Sequence, residues 1–371
     1  PPDIDLDIAH DKREQIIEWL RTMFTANQIG SWAKYSLDED EDGEDKGSLL
    51  VRYFSSERRR AESRGEESPT AVRPGDMPQL QRLSDRQMYK GMGTNAAGVV
   101  LTTTSDEFER LVPMAWMARA GGKGGLVTQY SKKPIEALGL VKLDVLGSKT
   151  LTVIDRTMKN LGLPISALDE IELNDGPSFQ LIRSGKTEGI FQLEGGSAKW
   201  GCKKLKPTHI KDVIAAMALF RPAAMNTGGT DAYIRRKHRE EHTPERHPVI
   251  HRHLNPTHGV LVYQEQVIDV LRDLGMDPDN LTKFLKAVKS SNGDVGSANS
   301  TIRGYMDWVV ERCHEEGVPQ GDLDFLVDAI MGFAEYGFNR AHATVYGITA
   351  YRCAYLATHH AAEFHAGLLS V

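Results

Sequence analysis

Leu140-Val141-Lys142-Leu143-Asp144-Val145-Leu146 is apolar except at two positions, and those two charges stand two residues apart. The leucine and valine content predicts a buried central strand. In a strand, residues two apart share a face, so Lys142 and Asp144 point the same way. A charge in such a strand is costly unless it is paired or binds a metal, so Asp144 needs a partner. The opening of the chain, Pro1-Pro2-Asp3-Ile4-Asp5-Leu6-Asp7-Ile8, carries carboxylates at alternate positions on one face and an apolar row on the other. By itself this alternation reads more simply as a solvated edge strand. If the two strands are neighbours, Asp144 joins Asp5 and Asp7 in a three-carboxylate cluster. Like charges so close destabilise a fold unless a cation neutralises them. Mg²⁺, a hard ion that prefers oxygen ligands, suits such a site. Two such ions can hold the attacking and leaving oxygens of a phosphoryl displacement, which makes nucleotidyl transfer the natural chemistry. Lys142 would then face substrate phosphate.

The surrounding chain is that of an ordinary globular protein. Its 371 residues are 40% hydrophobic and 26% charged, enough for two or three domains with real cores. No run of about 18 apolar residues and no basic-then-apolar amino terminus occurs, so no membrane span or secretory signal is expected, and the location expected is cytoplasmic. Cys202, Cys313 and Cys353 are far apart and outside any C-x-x-C pattern, which argues against a disulfide framework or a cysteine zinc site. The formal charge of -6 does not decide for or against a nucleic-acid partner, because the acid is concentrated around Asp38-Glu39-Asp40-Glu41-Asp42 and the basic clusters lie elsewhere. The first residue is not Met and the opening reads as the middle of a strand, so the chain is expected to be a fragment.

Asp11 and Glu14 precede apolar residues at helical spacing, Ile16, Ile17, Leu20, Met23 and Phe24, which predicts a helix with a capping box. From about Ser36 to Pro78 the sequence turns polar, with an acidic block and Arg58-Arg59-Arg60, and reads as a small, partly flexible insert. A second buried strand is predicted at Gly98-Val99-Val100-Leu101-Thr102-Thr103. Helix signals follow at Thr150 to Leu161, Lys211 to Phe220, Gln264 to Leu274 and Ala343 to His360. The coarse picture is an α/β portion interrupted by the insert and followed by a longer helical portion.

Eight stretches now fall into a known order. PDIDLDI (2–8), NAAGVVL (95–101), GLVKLDVLGSKTLTVID (139–155), GIFQLEGG (189–196), ALFRPAAM (218–225), IRRKHREE (234–241), GVLVYQEQV (259–267) and GFAEYGFNRAHATVYG (332–347) resemble, in order and rough spacing, the C-family bacterial replicative DNA polymerases, the polymerase III alpha subunit family. The resemblance covers nearly the whole chain. It implies an α+β fold: a polymerase-beta-like nucleotidyltransferase palm with a mixed sheet, a small inserted thumb, and a large, mainly helical fingers domain. The boundaries expected are 1–35 and 95–150 for the palm, 36–94 for the thumb-like insert and 151–371 for the fingers. By position, Asp5, Asp7 and Asp144 match the family's catalytic aspartates, holding two Mg²⁺, with Asp3 the neighbouring acid that is not a ligand.

The same resemblance assigns basic positions. An incoming deoxynucleoside triphosphate is met by cations of the fingers, and Lys286, Lys289, Arg340 with Asn339 and His342, and Arg221 are the matching positions. Each taken alone reads as a solvated surface charge. The family's lysine tract is replaced by Ser290-Ser291-Asn292, and its lysine by Arg340, which keeps the charge but prefers bidentate phosphate contacts. These changes mark a divergent member, of bacterial or phage origin. Arg235-Arg236-Lys237 reads alone as an exposed loop or helix end; in a polymerase it would track template phosphates through a salt-sensitive contact. Asn95 stands where the family has a histidine, so that histidine's role does not transfer.

Three further patterns carry no function. Ser184-Gly185-Lys186-Thr187 ends like a phosphate-binding loop, but Gln180 stands where its first glycine is needed. Asp38-x-Asp40-x-Asp42-Gly43 begins like a calcium loop, yet Leu49 occupies the position of the bidentate glutamate. His238, His242, His247, His251 and His253 lack cysteine and are studded with arginine, which disfavours zinc. The function expected is template-directed DNA synthesis on primer–template DNA, with the sliding clamp and other replisome subunits met through regions outside this chain. The alternative is a catalytically silent fragment that binds primer–template or partner chains and needs upstream palm and phosphoesterase-like regions for activity.

Overall fold

The computed structural model describes residues 3–34, 78, 89–102, 108, 110–117, 125–221, 224–225, 228–290, 300–336 and 338–371. The insert expected at 36–94 lies almost entirely outside them. The chain divides into two compact units, Pro1–Thr152 and Val153–Val371.

In the first unit the two charged stretches form β1 (Asp3–Ala9) and β6 (Val141–Ser148), paired in parallel. With β2 (Thr25–Lys34), β3 (Tyr89–Thr102), β4 (Met114–Met117) and β5 (Gly125–Thr128) they make a six-stranded sheet in the order β1-β6-β3-β2-β5-β4. β2 and β5 also run parallel; the remaining neighbours are antiparallel. A strand as apolar as β6 belongs inside a sheet, and it lies there, between β1 and β3. β1 is an edge of the described sheet.

The sheet buries both faces. On one, Leu143, Val145 and Val99 pack with Ile4, Ile8 and the Ile16, Ile17 and Leu20 stripe of α1 (Arg13–Met23). On the other, Val100 and Ile29 pack with Phe108, Val112 and Ile135 of α2 (Lys132–Ala137). Each fully buried aliphatic side chain stabilises by roughly 1.5–3 kcal/mol. Two expectations are corrected. Leu6, in the apolar row of β1, is 38% exposed, because an edge strand is covered from one side only. The capping box at Asp11 and Glu14 does not form: residues His10–Lys12 make a turn of 3-10 helix first, Lys12 takes the cap position, and the Asp11 carboxylate accepts the Thr152 hydroxyl at 3.3 Å instead.

The division between the units falls within α3 (Lys149–Asn160), and the second unit is helical. Its helices are α4 (Gly176–Ser184), α5 (Gly196–Leu205), α6 (Ile210–Leu219), α7 (Gly229–Lys237), α8 (Pro248–Leu254), α9 (Gln264–Asp273), α10 (Pro278–Ser290), α11 (Ser300–Glu315), α12 (Gln320–Tyr336), α13 (Arg340–His359) and α14 (Ala361–Leu369). One core forms where α13 crosses α6 and α4. Gly347 lets the backbones touch there, since a Cβ on it would stand 2.8 Å from Ile214 Cα. Tyr351, wholly buried, stacks on Phe179 at 5.1 Å and ties the start of α4 by accepting the Asp175 N–H at 2.7 Å and donating to Glu172 O at 3.0 Å. A second core joins α8 to α12 through Leu271, Phe284, Val309 and Ile330. No helix among the described residues is long and apolar enough to cross a membrane.

Candidate active site

Register brings the carboxylates together. Asp5 of β1 pairs with Asp144 of β6, Asp3 with Lys142 and Asp7 with Leu146. Cross-strand partners share a face, and neighbouring strands lie roughly 4.7–4.9 Å apart. Asp5, Asp7 and Asp144 therefore stand on one face, with Asp5 and Asp144 side by side. On its other flank Asp144 is paired with Gly98 of β3, which has no side chain to crowd the carboxylate. Asp5 and Asp7 are exposed, whereas the side chain of Asp144 keeps 19% of its surface in solvent.

Lys142 is 2% exposed, and its ammonium donates to the Asp144 carboxylate. The partner that Asp144 needs inside the sheet is thus supplied two residues away on the same strand. In this conformation Lys142 does not stand open to solvent, where the sequence reading placed it facing phosphate. Among the described residues no group of three or more His, Cys, Asp and Glu side chains is gathered closely enough to hold a metal ion as it stands. The donor set itself fits a hard divalent cation, being carboxylate oxygens on adjacent strands.

The second unit gathers cations at the start of α13. Asn339 caps that helix, its side-chain oxygen accepting the His342 N–H at 2.8 Å. This cap is why α13 begins before the helix expected from Ala343. The Arg340 guanidinium lies 5.3 Å above the Tyr263 ring, and that of Arg221 lies 3.7 Å above Phe338. The His342 ring stands between Phe338, at 5.2 Å, and Tyr346, at 3.9 Å. Burial draws the Arg221 pKa down and Tyr346 partly offsets this, yet an arginine stays charged at any working pH. Among the described residues neither guanidinium forms an ion pair with a carboxylate. Lys286 and Lys289 fall on α10 and Asn95 on β3, but their side chains lie outside the described residues.

Arg235-Arg236-Lys237 forms the last turn of α7, a helix end as one reading had it. Its charges are engaged within the unit. Arg235 and Arg236 donate to Glu241 at 2.8 and 2.7 Å, and Lys237 lies 3.4 Å from Asp212. Hydrogen bonds from Arg235 and then Arg236 hold the Glu241 carboxyl below the usual carboxylate range.

Sequence reasoning missed two residues that build the α13 site, Tyr263 and Glu265. Both Glu265 carboxylate oxygens accept the Arg340 N–H at 2.9 Å. The signal was present in GVLVYQEQV, read as a family motif without a role for its members.

The family relation follows from comparison with known proteins. A model of the bacterial DNA polymerase III alpha subunit finger domain matches residues 150–301, and one of the bacterial DNA polymerase III alpha NTPase domain matches residues 75–147. Relatives named DNA polymerase III subunit alpha include that of Aquifex aeolicus, 30% identical over 98% of this chain and 34% of that protein. That of Pseudomonas aeruginosa is 34% identical over 76% of this chain and 24% of its own length. That of Thermus aquaticus is 28% identical over 100% of this chain and 32% of its own. The chain belongs to the bacterial DNA polymerase III alpha family. It spans about a third or less of the length of these curated relatives.

Proposed function

We propose that this chain carries the catalytic core of a template-directed DNA polymerase, in which the primer 3′ oxygen bonds to the α-phosphorus of a deoxynucleoside triphosphate and pyrophosphate leaves. The observation that carries this reading is the direct pairing of Asp5 with Asp144. The sheet serves as a palm of the polymerase-beta-like nucleotidyltransferase type, the insert expected at 36–94 as a small thumb, less residues 89–94, which β3 takes into the sheet, and 151–371 as fingers. A finger-domain match beginning at residue 150 supports the last boundary. Asp5, Asp7 and Asp144 would hold two Mg²⁺. When bound, such ions neutralise charge on the transferring phosphoryl group and lower the pKa of the primer hydroxyl. Lys142 balances the Asp144 carboxylate and fixes where it stands. Arg221 and Arg340, with Asn339, His342, Lys286 and Lys289, meet the triphosphate. Of the α7 tract, Arg235 is the most open to template phosphate, its side chain being 49% exposed, while Arg236 and Lys237 anchor the turn.

Asp5→Ala and Asp144→Ala in the full-length enzyme are expected to cut primer extension by more than about a thousandfold, about 4 kcal/mol in the barrier. Primer–template affinity, measured by fluorescence anisotropy, should stay within about threefold, since phosphate contacts elsewhere supply it. Residual extension within about tenfold of the parent, about 1.4 kcal/mol, would overturn the metal assignment.

A second reading, a chain silent in catalysis that binds primer–template, is favoured by one observation: the Asp144 carboxylate is held by Lys142. Primer extension by the 371-residue chain alone, in excess Mg²⁺, refutes it.

A further inference from the structure

We infer that Glu265 is a positioning residue for Arg340, an assignment that rests on the reading of Arg340 as a triphosphate contact. Gln266 makes the segment around it rigid. That side chain is wholly buried; its oxygen accepts the N–H groups of Val262 and Tyr263, both at 2.8 Å, and its amide donates to His253 O at 2.9 Å and Thr257 Oγ1 at 2.7 Å. Both lone pairs and both amide hydrogens are used, so the group has one orientation. From this fixed base two backbone links reach the start of α13. The Gln264 N–H donates to Phe338 O at 2.9 Å, and the Glu265 carboxylate takes the Arg340 N–H. The neighbouring Tyr263 ring lies beneath the Arg340 guanidinium. Residues 263–266 thus hold the arginine by its backbone and set the surface on which its cation rests.

Charge and geometry make opposite demands of Glu265. A carboxylate beside an anion site repels the anion, so on charge alone its removal tightens nucleotide binding. As a positioning residue it acts through the Arg340 backbone, and its loss lets the guanidinium wander and weakens nucleotide binding. Glutamine keeps an oxygen able to accept that N–H, while alanine does not.

The test uses the full-length enzyme, steady-state primer extension against dNTP concentration, and active-site titration of every variant. Glu265→Ala is expected to raise the KM for dNTP about tenfold with kcat within about threefold. Glu265→Gln should stay near the parent, Arg340→Ala should raise KM at least as much, and the double variant Glu265→Ala/Arg340→Ala should be no worse than Arg340→Ala alone. A lowered KM in both Glu265 variants shows a charge effect and overturns the assignment. So does an unchanged KM in Glu265→Ala with a reduced active-site titre, which marks a purely structural role, or additive effects in the double variant. If Arg340→Ala leaves KM unchanged, the reading of Arg340 itself fails, and the positioning role goes with it.

Discussion

Lys142 gives its ammonium to Asp144 from inside the sheet, and that pair sets the balance of charge on the carboxylate face. Lys142→Met keeps an apolar stem of similar length and strips the Asp144 carboxylate of its ammonium partner. Removing one member of a buried pair costs about 3–5 kcal/mol. Because Asp144 keeps some solvent, the expected loss is nearer about 2 kcal/mol, read as a lower urea midpoint. Mg²⁺ should restore more of that loss in the variant than it adds to the parent, because an ion at the carboxylates replaces the missing positive charge. A midpoint that does not move, or that Mg²⁺ shifts equally in both proteins, counts against a shared cation site. At this scale the alternation of Asp3 to Ile8 is legible in the sequence, but its register is not. A slip of one residue would set Asp5 against Leu143 or Val145, and only the packing of distant segments forbids it.

Helices and strands were the more legible level, for a physical reason: their signals are local. The apolar periods at Lys211 to Phe220 and Gln264 to Leu274 reappear as α6 and α9 within a residue at each end. The capping box at Asp11 failed because Thr152, remote in sequence, competes for the same carboxylate. The α6–α13 crossing was equally hidden, since nothing local marks Gly347 as a contact. It makes a sharp test. Alanine for glycine inside a helix ordinarily stabilises by about 1 kcal/mol. Here the new methyl meets Ile214 backbone at 2.8 Å, and overpacking costs about 1–3 kcal/mol. Gly347→Ala is therefore expected to lower the urea midpoint, and a raised midpoint would show that the two helices are not in backbone contact.

For the molecule as a whole, the three cysteines report on its cores. Burial pushes the Cys202 and Cys353 thiols up to about 12 and raises that of Cys313 as well. Thiolate is the reactive form, and at pH 8 a thiol titrating four units higher is ionised in about one molecule in ten thousand. The native chain should show no fast reaction with a disulfide reagent at pH 8, and three equivalents once urea opens it. A fast native equivalent would mean that the core around that cysteine is open. The hydrogen bond from the Gln264 N–H to Phe338 O bears on how such a protein can change over generations. The chain sets out into α9 and comes back into α13 at the same place, so α9 to α12 form a circuit closed at its root, which also packs on α8. Lengthening a circuit already shut at its root adds little entropic cost, about 0.6 kcal/mol per doubling. Lys286 and Lys289 fall on the circuit, in α10, while Arg221 and Arg340 stand at the root. A lineage can trim, extend or recharge the circuit and leave the two arginines where they were.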